Sequence, residues 1–126
     1  MNISVLEMPL DLGASRHGSD MGPSAIRLAG LKEKITELGH TIAKFSCPIE
    51  QHPQEYEDVE NPKAKYLSII TKACTQLAEK VEAAALNKEF PIILGGDHSI
   101  VLGSLAGMSA ACKKLDKKII YNRKSI

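Results

Sequence analysis

The sequence lacks a strong charge of either sign and any apolar run of membrane-spanning length. Its 126 residues include 16 lysines and arginines against 15 aspartates and glutamates, so the net charge is +1. A chain with this balance has no bulk electrostatic attraction for nucleic acid or for a membrane surface. The basic stretch Lys113–Lys124 has no repeated pattern of aromatic residues and is typical of a solvated end. We therefore predict no nucleic-acid partner and no membrane partner.

Cysteine is also scarce. The three cysteines are Cys47, Cys74 and Cys112, and no two of them are spaced as Cys-x-x-Cys. The first residues, Met1–Val5, lack the basic segment and long apolar run of a secretory signal peptide. Thiols in a chain without an export signal indicate a reducing compartment, so we predict a cytoplasmic protein with reduced cysteines. Cys74 and Cys112 lie within apolar helical patterns, which predicts core positions.

Short apolar runs alternate with helical patterns along the chain. The predicted strands are Ile3–Met8, His40–Phe45, Phe90–Leu94 and Lys118–Tyr121, and the predicted helices are Pro23–Leu38, Leu67–Asn87 and Ser99–Lys114. The segment Pro48–Pro62, between the second predicted strand and the second predicted helix, is polar and acidic, as is typical of a surface loop. Gly103 and Gly107 in the last helix indicate close packing against a neighbour. The alternation predicts an α/β fold with a parallel sheet in a single domain.

The most chemically informative segment is residues 92–100, IILGGDHSI, where an apolar strand ends in two glycines. In open α/β sheets, active-site chemistry collects just beyond the carboxyl ends of the strands. The glycines permit a tight turn, and the carboxylate of Asp97 can orient an imidazole or share a metal cluster. His98 is therefore a candidate metal ligand or acid–base group, with a structural surface histidine as the alternative. The glycine spacing matches neither a phosphate-binding Walker loop nor a dinucleotide fingerprint.

A polar, glycine-bearing loop, Asp11–Gly22, follows the first predicted strand. If the sheet is parallel, Arg16 in this loop lies near the carboxyl ends of the strands, as His98 does. There it would contact a substrate or neutralise acidic groups. Arg27, on the helix that follows, is open to either a functional or a solvated interpretation. The remaining histidines, for which the sequence predicts no role, are His17, His40 and His52.

Two segments together resemble the arginase/agmatinase (ureohydrolase) superfamily. Residues 18–30, GSDMGPSAIRLAG, are similar to the N-terminal signature of arginases, and residues 94–107, LGGDHSIVLGSLAG, are similar to the first metal-binding signature of the superfamily. The Gly103-Ser104 continuation favours arginase over agmatinase. The resemblance extends from Ile3 to about Leu115, and the order of the two motifs makes it specific.

The resemblance implies a three-layer α/β/α fold around a parallel sheet, with residues 1–126 as the N-terminal part of a single arginase-like domain. It implies two Mn²⁺ ions bridged by hydroxide, which hydrolyse the guanidinium group of L-arginine to L-ornithine and urea. His98 matches the first metal-ligating histidine of the family. Asp97 matches a motif position that we expect to support the histidine without direct ligation. Intact relatives form homotrimers or hexamers.

The family pattern breaks after the fourth predicted strand. The next ligands of the family occur in an Asp-Ala-His-x-Asp motif, whereas residues 122–126 read NRKSI, with Asn122 in place of the first aspartate. One imidazole does not hold a dinuclear centre, because several anionic ligands are needed to balance two dications. We therefore expect a truncated portion that is inactive by itself. The alternatives are an agmatinase-like hydrolase of another guanidino substrate and a non-catalytic fragment that docks through an unpaired strand edge.

Overall fold

The computed structural model describes residues 1–47, Lys63 and residues 66–118. The elements are β1 (Asn2–Met8), α1 (Gly22–Leu28), α2 (Leu31–Glu37), β2 (Thr41–Ser46), α3 (Leu67–Leu86), β3 (Phe90–Gly95) and α4 (Ile100–Lys114). A short 3₁₀ turn, Ser19–Met21, precedes α1. The predicted surface loop Pro48–Pro62 lies outside the described residues. So does the predicted fourth strand, except for Lys118, which belongs to no regular element.

The three strands form one parallel sheet in the order β2-β1-β3. Along the β1–β3 ladder, Ile3 pairs with Phe90 and Met8 pairs with Gly95. Parallel neighbours need crossover connections, which α1 with α2 supplies for β2, and α3 supplies for β3. The carboxyl ends of β1 and β3 therefore lie side by side at one edge of the sheet, as the sequence predicted.

Both faces of the central strand β1 are buried, because successive side chains on a strand point to opposite sides. Leu6 packs on one face in a cluster with Leu77 of α3. Val5 packs on the other face in a cluster with Ile35 of α2. Burial of each such side chain contributes roughly 1.5–3 kcal/mol. Helices on both faces of a parallel sheet make the three-layer α/β/α arrangement, so the predicted fold class is confirmed.

The helix predicted for Pro23–Leu38 is two helices in the structure, α1 and α2. Between them Gly30 has φ +94°, in the left-handed region that favours glycine. Ile26 and Leu38 are exposed, whereas Ile35 is buried. The prediction of one continuous helix was wrong, because glycine accepts the backbone conformation that separates two short helices inside an apparently continuous pattern.

The two long helices, α3 and α4, pack closely, as the glycines of α4 predicted. A Cβ at Gly103 would lie 2.6 Å from the carbonyl oxygen of Cys74 in α3. A Cβ at Gly107 would overlap the carbonyl oxygen of Ala78. Only glycine permits this approach of two helix backbones. Within the part of the chain that the structure describes, no helix combines the length and the hydropathy needed to cross a bilayer.

Candidate functional site

The candidate site lies at the carboxyl edge of the sheet, where the loops after β1 and β3 meet. The backbone N–H of Gly96 donates to the carbonyl oxygen of Met8 at 3.1 Å, and that of Asp97 donates to Leu10 at 2.7 Å. The strand pairing thus continues past the end of β3 into the turn. These two bonds fix the position of the turn that contains His98 relative to the loop that contains Arg16.

Gly96 is required by this close approach. A Cβ at Gly96 would overlap the backbone carbonyl of Leu10. The neighbouring Gly95 is less constrained, since a Cβ there would meet only the far end of the Ile100 side chain. The sequence analysis inferred a tight turn from the glycine pair. The structure assigns the tight contact to the second glycine.

The carboxylate of Asp97 joins the two loops. Its Oδ2 accepts a hydrogen bond from the backbone N–H of Gly13 at 2.7 Å. Its Oδ1 accepts from the backbone N–H of Ser99 at 2.8 Å and also from the Ser99 hydroxyl. Both carboxylate oxygens are therefore engaged by donors of the protein, which agrees with the expectation that Asp97 supports His98 and is not itself a ligand. That supporting role remains a prediction.

His98 occupies the turn between β3 and α4, and its side chain is exposed. Its backbone carbonyl accepts a hydrogen bond from Val101 at 3.2 Å, at the start of α4. Its position is therefore fixed through the backbone, while the imidazole faces outward at the rim. An exposed imidazole at the carboxyl edge is the placement that the metal-ligand prediction requires, and ligation itself remains a prediction.

Arg16 is exposed in the loop after β1. The buried Asp11 organises this loop, because its Oδ2 accepts a hydrogen bond from the backbone N–H of Gly18 at 3.0 Å and lies 3.2 Å from Nδ1 of His17. The sequence analysis gave His17 no role and overlooked Asp11. An aspartate two residues after a strand-ending proline was the available signal. The substrate-binding role of Arg16 remains a prediction.

Arg27 has a structural partner that the sequence did not predict. Its Nη1 lies 2.5 Å from Oε2 of Glu7, a carboxylate whose side chain is only 7% exposed. This ion pair ties α1 to β1, on the face of the sheet that α1 and α2 cover. Arg27 is thus exposed and at the same time paired with a buried carboxylate, which neither interpretation predicted. Glu7, a charged residue within an otherwise apolar strand, was the signal that β1 has a partner for it.

Cys74 of α3 lies beneath the turn that contains His98. Its Sγ–H donates to the carbonyl oxygen of Ser99 at 3.3 Å. Burial raises the pKa of the Cys74 thiol above its ordinary value. A thiol in this setting is protonated and unreactive near neutral pH, so Cys74 acts as a small core residue, as predicted.

The described residues do not form a metal centre by themselves. Among residues 1–47, 63 and 66–118, no three histidine, cysteine, aspartate or glutamate side chains lie close enough together to hold a metal ion. His98 presents one exposed imidazole, and the nearby carboxylate of Asp97 is already bonded to two loops. A dinuclear manganese centre does not fit this ligand set, because the charge of two dications needs several anionic ligands.

Almost the whole chain is similar in sequence to known proteins. The profile of the Arginase family matches residues 1–120. The arginase of Bacillus subtilis (strain 168) is 43% identical over 106 residues, which are 83% of this chain and 34% of that protein. The arginase of Brevibacillus brevis is 40% identical over 114 residues, or 90% of this chain and 38% of that protein. The chain therefore spans about a third of the length of the curated relatives it matches.

Solved structures agree with the sequence comparison. The native structure of arginase from Bacillus caldovelox superimposes with a TM-score of 0.75 at 37% identity. The superposition covers 86% of this chain and 36% of that one. The arrangement of strands and helices described above is thus that of a corresponding third of a larger protein.

Proposed function

The chain belongs to the arginase family, and on that premise we propose that it is the N-terminal part of a single-domain enzyme that hydrolyses L-arginine to L-ornithine and urea. The observation that supports this proposal most directly is the placement of His98. Its imidazole is exposed at the carboxyl edge of a parallel sheet, in a turn that two backbone hydrogen bonds fix to the neighbouring loop. This is the edge at which α/β proteins position their ligands.

Three residues have distinct proposed roles. His98 is a metal ligand, and Asp97 positions it by bonding the β1 loop and the start of α4 at the same time. Arg16 contacts the substrate from the loop that Asp11 organises. The relatives named above are all arginases, which favours L-arginine over another guanidino compound as the substrate.

The cofactor that we propose for the complete enzyme is Mn²⁺. The described residues contribute one imidazole to it, so the remaining ligands lie beyond them. We accordingly propose that the 126-residue chain alone does not turn over L-arginine. A cytoplasmic location is also proposed, supported by Cys74 and Cys112, neither of which forms a disulfide.

A chimeric enzyme tests the proposal. Residues 1–118 of this chain replace the matched segment of the Bacillus subtilis arginase, and urea release from L-arginine is measured with added Mn²⁺. We expect Mn²⁺-dependent urea production by the chimera and none by the 126-residue chain. His98→Ala in the chimera should lower kcat/KM by at least about 10–100-fold, the range seen when groups supporting a metal ligand are lost. Arg16→Ala should mainly raise KM, because it removes a substrate contact.

His40→Ala is the control, because His40 is a partly exposed histidine, located directly before β2 and away from the candidate site. Its activity should equal that of the unmodified chimera. The proposal fails if a folded chimera releases no urea. The role of His98 fails if His98→Ala and His40→Ala retain the same activity and the same Mn²⁺ requirement.

A further inference from the structure

The loop after β1 closes on itself through Asp11. One oxygen of this carboxylate, Oδ2, accepts a hydrogen bond from the backbone N–H of Gly18 at 3.0 Å, seven residues further along the chain. The backbone carbonyl of Asp11 also accepts from the N–H of Ala14 at 3.1 Å. Residues 11–18 therefore form a closed loop, and a side chain that is only 8% exposed holds its two ends together.

The neighbouring turn fixes the start of this loop. The N–H of Asp97 donates to the carbonyl oxygen of Leu10, the residue before Asp11, at 2.7 Å. The carboxylate of Asp97 in turn accepts from the N–H of Gly13 at 2.7 Å. Residues 10–13 are thus bonded to the turn after β3, and the bond between Asp11 and Gly18 extends this fixed position to the far end of the loop.

Arg16 lies between the two held points, three residues after Gly13 and two before Gly18. Its side chain is exposed, so the loop backbone, and not packing around the side chain, decides where its guanidinium reaches. A long side chain loses conformational freedom when it binds a ligand, and a backbone that is already in place reduces the total cost of ordering. Gly18 completes the loop with φ +123°, in the left-handed region that favours glycine.

We propose that Asp11 is a positioning residue for the hydrolysis of L-arginine: by holding Gly18, it places the guanidinium of Arg16 where the substrate binds. The inference rests on the proposed function, because Asp11 acts on the substrate only through Arg16. A carboxylate suits this task, since it accepts from more than one donor and its hydrogen bonds are stronger than those of a neutral acceptor. The same Oδ2 lies 3.2 Å from Nδ1 of His17, so both residues that follow Arg16 contact Asp11.

The alternative role for Asp11 is metal ligation, because carboxylates and imidazoles are both ligands that Mn²⁺ accepts. The contacts favour positioning. Oδ2 of Asp11 is already engaged by Gly18 and His17, and among the described residues no third histidine, cysteine or acidic side chain completes a ligand group with this pair. The two roles differ in what they control: a positioning residue changes the KM for L-arginine, and a metal ligand changes the requirement for Mn²⁺.

The test uses the chimera described above, with urea release measured at varied L-arginine and at varied Mn²⁺. Asp11→Ala should raise KM by roughly tenfold and change kcat by less than about twofold, because displacement of a positioned group weakens substrate binding. Asp11→Asn, which keeps a carbonyl acceptor for Gly18, should have a KM close to that of the unmodified chimera. The double variant Asp11→Ala/Arg16→Ala should have the KM of Arg16→Ala alone, since the effect of Asp11 passes through Arg16.

Two further variants guard against an unfolded Asp11→Ala protein. Gly18→Ala keeps Asp11 but strains the backbone at φ +123°, with no atom within 4 Å of the added Cβ, and should raise KM in the same way. Ser15→Ala is the matched control, because Ser15 is the exposed neighbour of Arg16 in the same loop, and its KM should be unchanged. In the 126-residue chain, Asp11→Ala should speed exchange of the Gly18 amide, measured by NMR, by at least about tenfold.

The outcomes separate this inference from the proposed function. An unmodified chimera that folds and releases no urea overturns the proposed function and this inference with it. An active chimera overturns this inference alone in three cases: Asp11→Ala leaves KM or Gly18 exchange unchanged, it shifts the Mn²⁺ requirement with KM constant, or its effect on KM multiplies with that of Arg16→Ala. In the second case Asp11 is a metal ligand, and in the third it does not act through Arg16.

Discussion

At the scale of single residues, the neighbouring side chains of Asp97 and His98 differ: that of Asp97 is bonded within the protein, and that of His98 is exposed and available to a ligand. Asp97 uses both carboxylate oxygens to bond Gly13 and Ser99, whereas the adjacent His98 is exposed. The local motif left open whether Asp97 orients His98 or shares a metal, and the family resemblance implied the supporting role, which remains a prediction. The identity of the groups bonded to Asp97 was not predictable, since Gly13 lies 84 residues away along the chain.

Asp97→Ala should destabilise the fold by about 1–3 kcal/mol, because hydrogen bonds to a charged group contribute roughly that much. Two loop N–H groups lose their acceptor in this variant. Asp97→Asn retains one carbonyl acceptor and should fall between the wild type and Asp97→Ala. Ser99→Ala, which removes only the hydroxyl bond, should cost less than either. Urea denaturation monitored by circular dichroism gives the ranking, and an Asp97→Ala variant as stable as the wild type would contradict the joining role.

The two glycines of the turn should differ sharply in their tolerance of a methyl group. Gly96→Ala places its Cβ against the backbone of Leu10, and we expect a loss of roughly 1–3 kcal/mol from overpacking. Gly95→Ala meets the movable end of Ile100 and should cost less than about 1 kcal/mol, since a side chain can change rotamer. Thermal unfolding of both variants measures the difference. Equal destabilisation would show that the approach of the two loops does not constrain this turn.

At the scale of elements, the long periodic segments were predictable and the short ones were not. The predicted helix Leu67–Asn87 differs from α3 by one residue at its end, and the buried side chains Cys74, Leu77 and Val81 follow at three- and four-residue steps. A twenty-residue helix repeats its apolar spacing often enough to fix both type and orientation. The region of α1 and α2 has only two turns per helix, so its pattern did not reveal the break at Gly30.

The contact between α3 and α4 gives a prediction at this scale. In an exposed helix, Gly→Ala usually stabilises by about 1 kcal/mol through helix propensity. Gly107→Ala should instead destabilise by about 2 kcal/mol, because its methyl group would force the backbones of α3 and α4 apart. Ser109→Ala, two residues further along the same helix, supplies the control for propensity alone. A Gly107→Ala variant at least as stable as Ser109→Ala would contradict the close packing.

The ion pair between β1 and α1 gives a second prediction. Arg27→Ala leaves the carboxylate of Glu7 buried without its counter-charge and should cost about 1–3 kcal/mol. This is below the cost for a fully buried pair, because the Arg27 side chain is 45% exposed. The double variant Glu7→Gln/Arg27→Ala should be less destabilised than Arg27→Ala alone, since no buried charge remains. Chemical denaturation of the single and double variants decides, and strict additivity would show that the two residues do not interact.

At the scale of the whole molecule, the described sheet has β1, its best-protected strand, in the middle, while β2 and β3 are each paired on one side only within the described residues. The order β2-β1-β3 follows from crossovers that place the first strand between the next two. The α/β class and the meeting of the β1 and β3 loops were predictable from the alternation of elements. The order of strands was not, because local periodicity does not specify which strands become neighbours.

Amide hydrogen exchange tests this arrangement of the isolated chain. The amides of β1 should exchange most slowly, since β1 pairs on both sides. Along β3 protection should alternate, with Ile92 and Leu94 slow because they bond to β1, and Ile93 and Gly95 fast because they face the open side. Exchange measured residue by residue by NMR is the readout, and uniform protection along β3 in the isolated chain would mean that its outer side is already paired.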